Sequence, residues 1–94
     1  MVDLVSLFNS KAQVKLLQFL LDNPNKIVTQ NFIAKLLNLS PSTIARVIQP
    51  LEKEYIIKIE EVKKMKVITL NTENEITKVL IEFNSKIKNI KKIV

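Results

Sequence analysis

Arg46 is the only arginine in a chain of 94 residues. A guanidinium carries a planar fork of N–H donors that can clamp two acceptors at once, on a carboxylate, a phosphate or the O6 and N7 edge of guanine. Gln49 follows three residues later, with an amide that fits the N6 and N7 edge of adenine in the same two-bond fashion. Ser42 and Thr43 precede Arg46 by four and three residues, so on a helix all four residues share one small, polar face. Arg46 could instead pair with a phosphate, or with Glu52 or Glu54, and read nothing. A second group, Lys63, Lys64 and Lys66, offers point charges suited to phosphate. Other chemistry is removed by composition, because cysteine, histidine and glycine are all absent. Thiol redox, disulfides and thiolate or imidazole metal sites are excluded, as are glycine-bearing phosphate loops. Nucleophilic catalysis would have to proceed without a histidine base. No enzyme, metal or cofactor is expected.

These side chains need a helix that shows one side to the outside. Ser40 is a natural N-cap and Pro41 falls at the first helical position, where its missing N–H has no partner to lose. Ile44, Val47, Ile48 and Leu51 recur at helical spacing and commit the opposite side to the interior. Pro50 cannot donate to the carbonyl of Arg46, so the helix is expected to bend or end there, leaving its first two turns as the useful part. The preceding segment predicts a helix from a Thr29 cap to about Leu37, burying Phe32, Ile33, Leu36 and Leu37. Asn38 suits the left-handed turn between the two helices, since its short polar side chain tolerates αL.

The run from Leu7 to about Leu70, most specifically LNLSPSTIARVIQPLEKEYI, resembles the winged helix-turn-helix domains of small MarR/ArsR-like regulators, especially archaeal ones. The resemblance implies a mainly α fold with a small β-hairpin (α+β), in which the second helix enters a major groove and the hairpin is the wing. It also places a glycine where this chain has Tyr55. A tyrosine in αL would cost about 1–2 kcal/mol, so either the helix exit differs or packing holds the residue.

The other elements follow from their periodicity. Residues 2 to 8 form a short apolar stretch. Ser10 caps a helix to about Asp22 whose apolar positions, from Ala12 to Leu21, are too many for one thin stripe. Ile27 and Val28 suit a short strand that pairs with the wing. Gln30 and Asn31 flank the free N–H groups of the next helix, a place for a DNA phosphate, unless Thr29 and water merely cap them. The Ser40 hydroxyl joins them as a backbone contact. Ile57 and Ile59, then Ile68 and Leu70, alternate with polar or exposed positions as half-buried strands do. Between them no Asn-Gly or Gly-X pair occurs, which favours a loop of three to five residues with Lys63, Lys64 and Lys66 near its tip. Asn71 and Thr72 are taken to cap a final helix from about Glu73. Its Ile76, Leu80, Phe83, Ile87, Ile90 and Val94 alternate four and three apart, a heptad seam suited to pairing with a second copy.

Charge supports an anionic partner. Fifteen Lys and Arg oppose nine Asp and Glu, a net charge of +6. No apolar run approaches the roughly 18 residues of a membrane span, and no basic segment precedes an apolar one at the N-terminus, so a cytoplasmic protein is expected. The expected organisation is a winged helix-turn-helix at residues 1–71 and a dimerisation helix at 72–94. The expected role is sequence-specific binding of double-stranded DNA as a homodimeric regulator, by default a repressor. The alternatives are a protein-interaction adaptor and a sequence-tolerant archaeal chromatin protein.

Overall fold

A computed structural model describes residues 7–93. Val94 and the apolar stretch before Leu7 lie outside the described residues. The elements are α1 (Lys11–Asp22), β1 (Ile27–Thr29), α2 (Gln30–Leu37), α3 (Pro41–Lys53), β2 (Ile57–Val62), β3 (Met65–Leu70) and α4 (Glu75–Ile93). The strands form an antiparallel sheet in the order β1-β3-β2, with Val28 opposite Ile68 and Ile59 opposite the same residue from the other side.

The Ser10 hydroxyl accepts from Gln13 N at 3.1 Å and starts α1. Leu16, Leu17 and Leu20 are buried completely, while Ala12, Phe19 and Leu21 pack at the edge of the core. In α2, which Thr29 caps through Phe32 N at 3.1 Å, the expected burial is only partly met. Ile33 and Ala34 are buried and Leu37 is half-buried, but Phe32 and Leu36 are each 51% exposed. An eight-residue helix at the edge of a small core turns one narrow side inward, and positions 32 and 36 fall beside that side.

Both helix exits that matter run through αL without glycine. Asn38 has φ 56° and ψ 46°, and Leu39 N donates to Ala34 O at 2.9 Å. Tyr55 has φ 60°, with Tyr55 N donating to Glu52 O and Ile56 N to Leu51 O, both at 2.9 Å. This is the Schellman pattern, with buried Ile56 and Leu51 at its two hydrophobic positions. Packing does not hold the tyrosine ring, since Tyr55 is 71% exposed. Backbone bonds hold it instead, aided by Asn71 Nδ2 donating to Tyr55 O at 3.0 Å. Asn71 therefore does not cap the last helix. Asn74 does, its side-chain oxygen accepting from Ile76 N at 2.8 Å and Thr77 N at 3.1 Å.

Two further expectations are corrected. Of the bend or end expected at Pro50, the end does not occur, since helix α3 continues to Lys53. Pro50 lies one turn beyond Arg46 on the outward side, so the carbonyl it leaves without a donor can reach water. The hairpin has two loop residues, not three to five: Val62 pairs with Met65, and Lys63 and Lys64 have φ 49° and 69°. Positive φ at both positions is the type I′ geometry, which matches strand twist and normally recruits asparagine and glycine.

Helix α4 begins packed against the body and is less buried along its second half. Thr77 is buried and its hydroxyl donates to Ile56 O at 3.4 Å. Leu80 is also buried, with Ile76 and Ile81 packed at the core's edge. Val79, Phe83, Ile87 and Ile90 are exposed. The expected seam is thus divided, with Ile76 and Leu80 turned toward the chain's own core and Phe83, Ile87 and Ile90 left uncovered.

Replacing Tyr55 by glycine should raise unfolding free energy by about 1 kcal/mol, and Lys63→Asn with Lys64→Gly by a similar amount, because each relieves αL strain at an exposed site. Urea denaturation measures both. A fall in midpoint for either variant would contradict the strain assignment.

Candidate nucleic-acid interface

The outward side of α3 is built from its N-terminus. Ser40 Oγ accepts from Thr43 N at 3.1 Å and lies 3.1 Å from Ser42 Oγ and 2.8 Å from Thr43 Oγ1. One hydroxyl thus fixes the start of the helix and the rotamers of the first two polar residues. Thr43 is half-buried, while Ser42, Arg46 and Gln49 are exposed. Beneath them Ile44, Val47, Ile48 and Leu51 are buried, so the helix cannot roll without exposing its apolar side. Arg46 forms no ion pair among the described residues, and pairing with Glu52 or Glu54 does not occur. Its fork remains open.

The other candidate residues are brought together unevenly. Gln30, Asn31, Lys64 and Lys66 line one cleft of about 250 Å³ between the start of α2 and the hairpin, together with Thr29 and Met65. Two lysines line it beside a helix N-terminus, a combination that favours an anion. Gln30 is partly committed, since its Nε2 donates to Pro41 O at 3.3 Å and ties the start of α2 to the start of α3. Lys63 stands apart at the turn and does not line this cleft. Glu61 lies directly opposite Lys66 in the sheet and offsets part of its charge.

A second groove, of about 530 Å³, runs beside the turn between α2 and α3. It is lined by Asn31, Lys35, Asn38, Ser40 and Pro41 among others. Lys35 and the Asn38 side chain were not singled out from the sequence, although Lys35 lies one turn after Asn31 on the same helical side. That spacing was the available signal. Asn38 was assigned only its backbone role.

Among the described residues no group of three or more His, Cys, Asp or Glu could hold a metal ion, and no helix is long and apolar enough to cross a membrane.

An αL-linked helix pair, a capped second helix with a polar outer side, and a three-stranded sheet ending in a basic hairpin together define a winged helix-turn-helix DNA-binding domain. The chain belongs to the HTH_11 family, described as an HTH domain, which matches residues 13–65. The family comprises DNA-binding regulators and not enzymes. Among solved structures, the fold is similar to that of HlyU from Vibrio cholerae N16961, with a TM-score of 0.71 and 19% identity over 89% of this chain and 86% of that one. No curated protein sequence matches the chain.

Ser40→Ala should cost about 1 kcal/mol of stability through loss of the cap. Thermal unfolding checks this, and an unchanged midpoint would mean that the Ser40 hydroxyl does not fix the start of α3.

Proposed function

We propose that the protein is a cytoplasmic, homodimeric transcriptional regulator that recognises a specific double-stranded DNA site, most simply as a repressor that occludes it. The observation that carries this reading is the open Arg46 fork on a helix whose opposite side is entirely buried. In this reading α3 lies in the major groove, with Arg46 on a guanine and Gln49 on an adenine edge. Ser42 contributes a hydroxyl. The Ser42 and Thr43 hydroxyls both lie beside Ser40 Oγ and keep spare hydrogen-bonding capacity, while the Thr43 methyl suits a thymine methyl. Gln30, Asn31, Ser40, Lys64 and Lys66 hold phosphates, Lys63 adds charge at the wing tip, and Lys35 joins them from the adjoining groove.

Two-fold pairing would follow from the exposed part of α4. Residues 72–94 then act as the arm, with Phe83, Ile87 and Ile90 against a second copy, joined by Val79, while Ile76 and Leu80 root the arm in its own subunit. An apolar row of this kind on a charged helix is a surface that association would cover. Two recognition helices about 34–36 Å apart would then address successive turns of a roughly palindromic site. Exposed Phe32 and Leu36 favour a second reading, a protein-interaction adaptor, which predicts no DNA binding.

Selection of bound fragments from random duplexes, followed by titration at two salt concentrations, tests the regulator. One preferred site supports it. Uniform binding with a steep salt slope indicates a chromatin-type protein instead. Arg46→Ala should relax preference at one base pair, with a loss of about 1–3 kcal/mol on the preferred site. Lys64→Ala should weaken all sequences evenly and lower the salt slope by about one unit. If both variants behave alike, the division between reading and anchoring residues fails. Phe83→Glu should shift sedimentation from dimer to monomer and abolish preference for a two-half-site DNA, and a dimer that persists would remove α4 from the interface.

A further inference from the structure

The outer half of α4 is tied to its own domain by a group of polar side chains. From Glu82 to Ile90, Asn84 is the only residue that is not exposed. Asn84 Nδ2 donates to Asp22 Oδ1 at 2.9 Å, and Gln18 Nε2 donates to Asn84 Oδ1 at 2.7 Å and to Asp22 Oδ1 at 3.0 Å. Lys88 completes the group with an ion pair to the same Asp22 oxygen. One carboxylate at the end of α1 thus gathers three donors, two of them one turn apart on α4. Burial of Asp22 pushes its pKa up, but the bonds from Lys88, Asn84 and Gln18, with the positive charge of Lys88, bring it below the ordinary value.

This cluster spans a gap and does not lie on close packing. A cleft of about 270 Å³ opens beside it, lined by Leu21, Pro24 and Ile81 as well as by the polar residues. Beyond Ile81 the bonds that tie α4 to the end of α1 are the polar ones made by Asn84 and Lys88, and these bear on the direction of the helix there. A single exposed ion pair would contribute little, but a network sharing one acceptor constrains geometry as well as energy.

We infer that Gln18, Asp22, Asn84 and Lys88 form a latch that sets the angle between the α4 arm and the DNA-reading body, and so sets the spacing of the two half-sites the protein accepts. The inference rests on the dimer reading above. In a two-fold dimer joined through the outer part of α4, a change of angle at Ile81 rotates each α3 about the arm. Over a lever of roughly 17 Å between that point and the recognition helix, a tilt of about 10° moves it by about 3 Å, close to one base-pair step. Loss of the latch would leave each half-site contact intact and blur only the distance between the two. The four residues touch no DNA in this arrangement, so they are positioning residues.

The test uses the full chain and duplexes carrying two inverted copies of the half-site selected from a random pool, with the spacer varied one base pair at a time. Wild type should lose about tenfold in affinity one base pair away from its preferred spacing, a penalty of the size a mismatched pair imposes. Asp22→Ala with Lys88→Ala should remain dimeric in sedimentation and bind a single half-site as wild type does, yet discriminate neighbouring spacings by no more than about twofold. The milder Asn84→Ala serves if the double variant loses its circular dichroism. The exchange Asp22→Lys with Lys88→Asp restores the ion pair and should restore most of the discrimination. A latch-deficient dimer that keeps the wild-type spacing profile overturns the inference and leaves the dimer reading standing. Wild type that sediments as a monomer and shows no spacing preference overturns the dimer reading, and the inference with it.

Discussion

Four side chains on one side of α3 are the constraint on which the rest depends. Ile44, Val47, Ile48 and Leu51 are between 0% and 3% exposed, and they meet Leu16, Leu17, Leu20, Ile33, Ile56 and Ile68 in one cluster. Burying each is worth about 1.5–3 kcal/mol, so any rotation of α3 that exposed two of them would cost more than a surface polar contact could return. The polar side is therefore placed by what the apolar side requires. Ser42, Arg46 and Gln49 point away from the body because the opposite side of the helix is committed to it.

That rigidity is delivered by chain reversals that would ordinarily use glycine. Asn38 and Tyr55 end α2 and α3 in the same hydrogen-bond pattern, and in both the residue after the αL position is drawn inward, Leu39 partly and Ile56 fully. The hairpin adds two more αL residues, both lysines. An αL lysine is strained, and in a type I′ turn asparagine and glycine would relieve it. What the lysines give in exchange is charge at the very tip of the wing.

Much of this was legible because it is governed by local rules. The Ser40 cap, Pro41 at the first turn, the αL role of Asn38, the strand alternation and the inward side of α3 all follow from one or two turns of chain. The features that were not legible depend on neighbours. Phe32 and Leu36 have the spacing of core residues, and only the edge position of α2 leaves them outside. Pro50 breaks a buried helix but is tolerated where its freed carbonyl faces water. The loop length was misjudged because the usual turn residues are missing, and a glycine-free chain fills those positions with residues that do not advertise a turn. Asn71 and Thr72 looked like caps, yet Asn71 is engaged by Tyr55, and the cap falls to Asn74. Of the candidate contact residues, the cleft shared by Gln30, Asn31, Lys64 and Lys66 joins segments more than thirty positions apart, and no spacing rule could have paired them.

The divided character of α4 is the clearest case of a pattern with two owners. A heptad row from Ile76 to Ile90 carries no mark of where one partner ends and another begins, because both ask for the same apolar residues at the same spacing. The division becomes visible only through the polar residues between them. Thr77 is drawn into the core by the Ile56 carbonyl, and Asn84 is drawn to Asp22. Those two residues fix one side of the helix to the body, which turns Phe83 and Ile90 away from it, whereas Ile87 falls on the same side as Leu80 and is the least exposed of the three. Exposure of Phe83 and Ile90 thus depends on hydrogen bonds made on the adjoining side, and a change at Thr77 or Asn84 would alter the apolar surface without touching any residue in it.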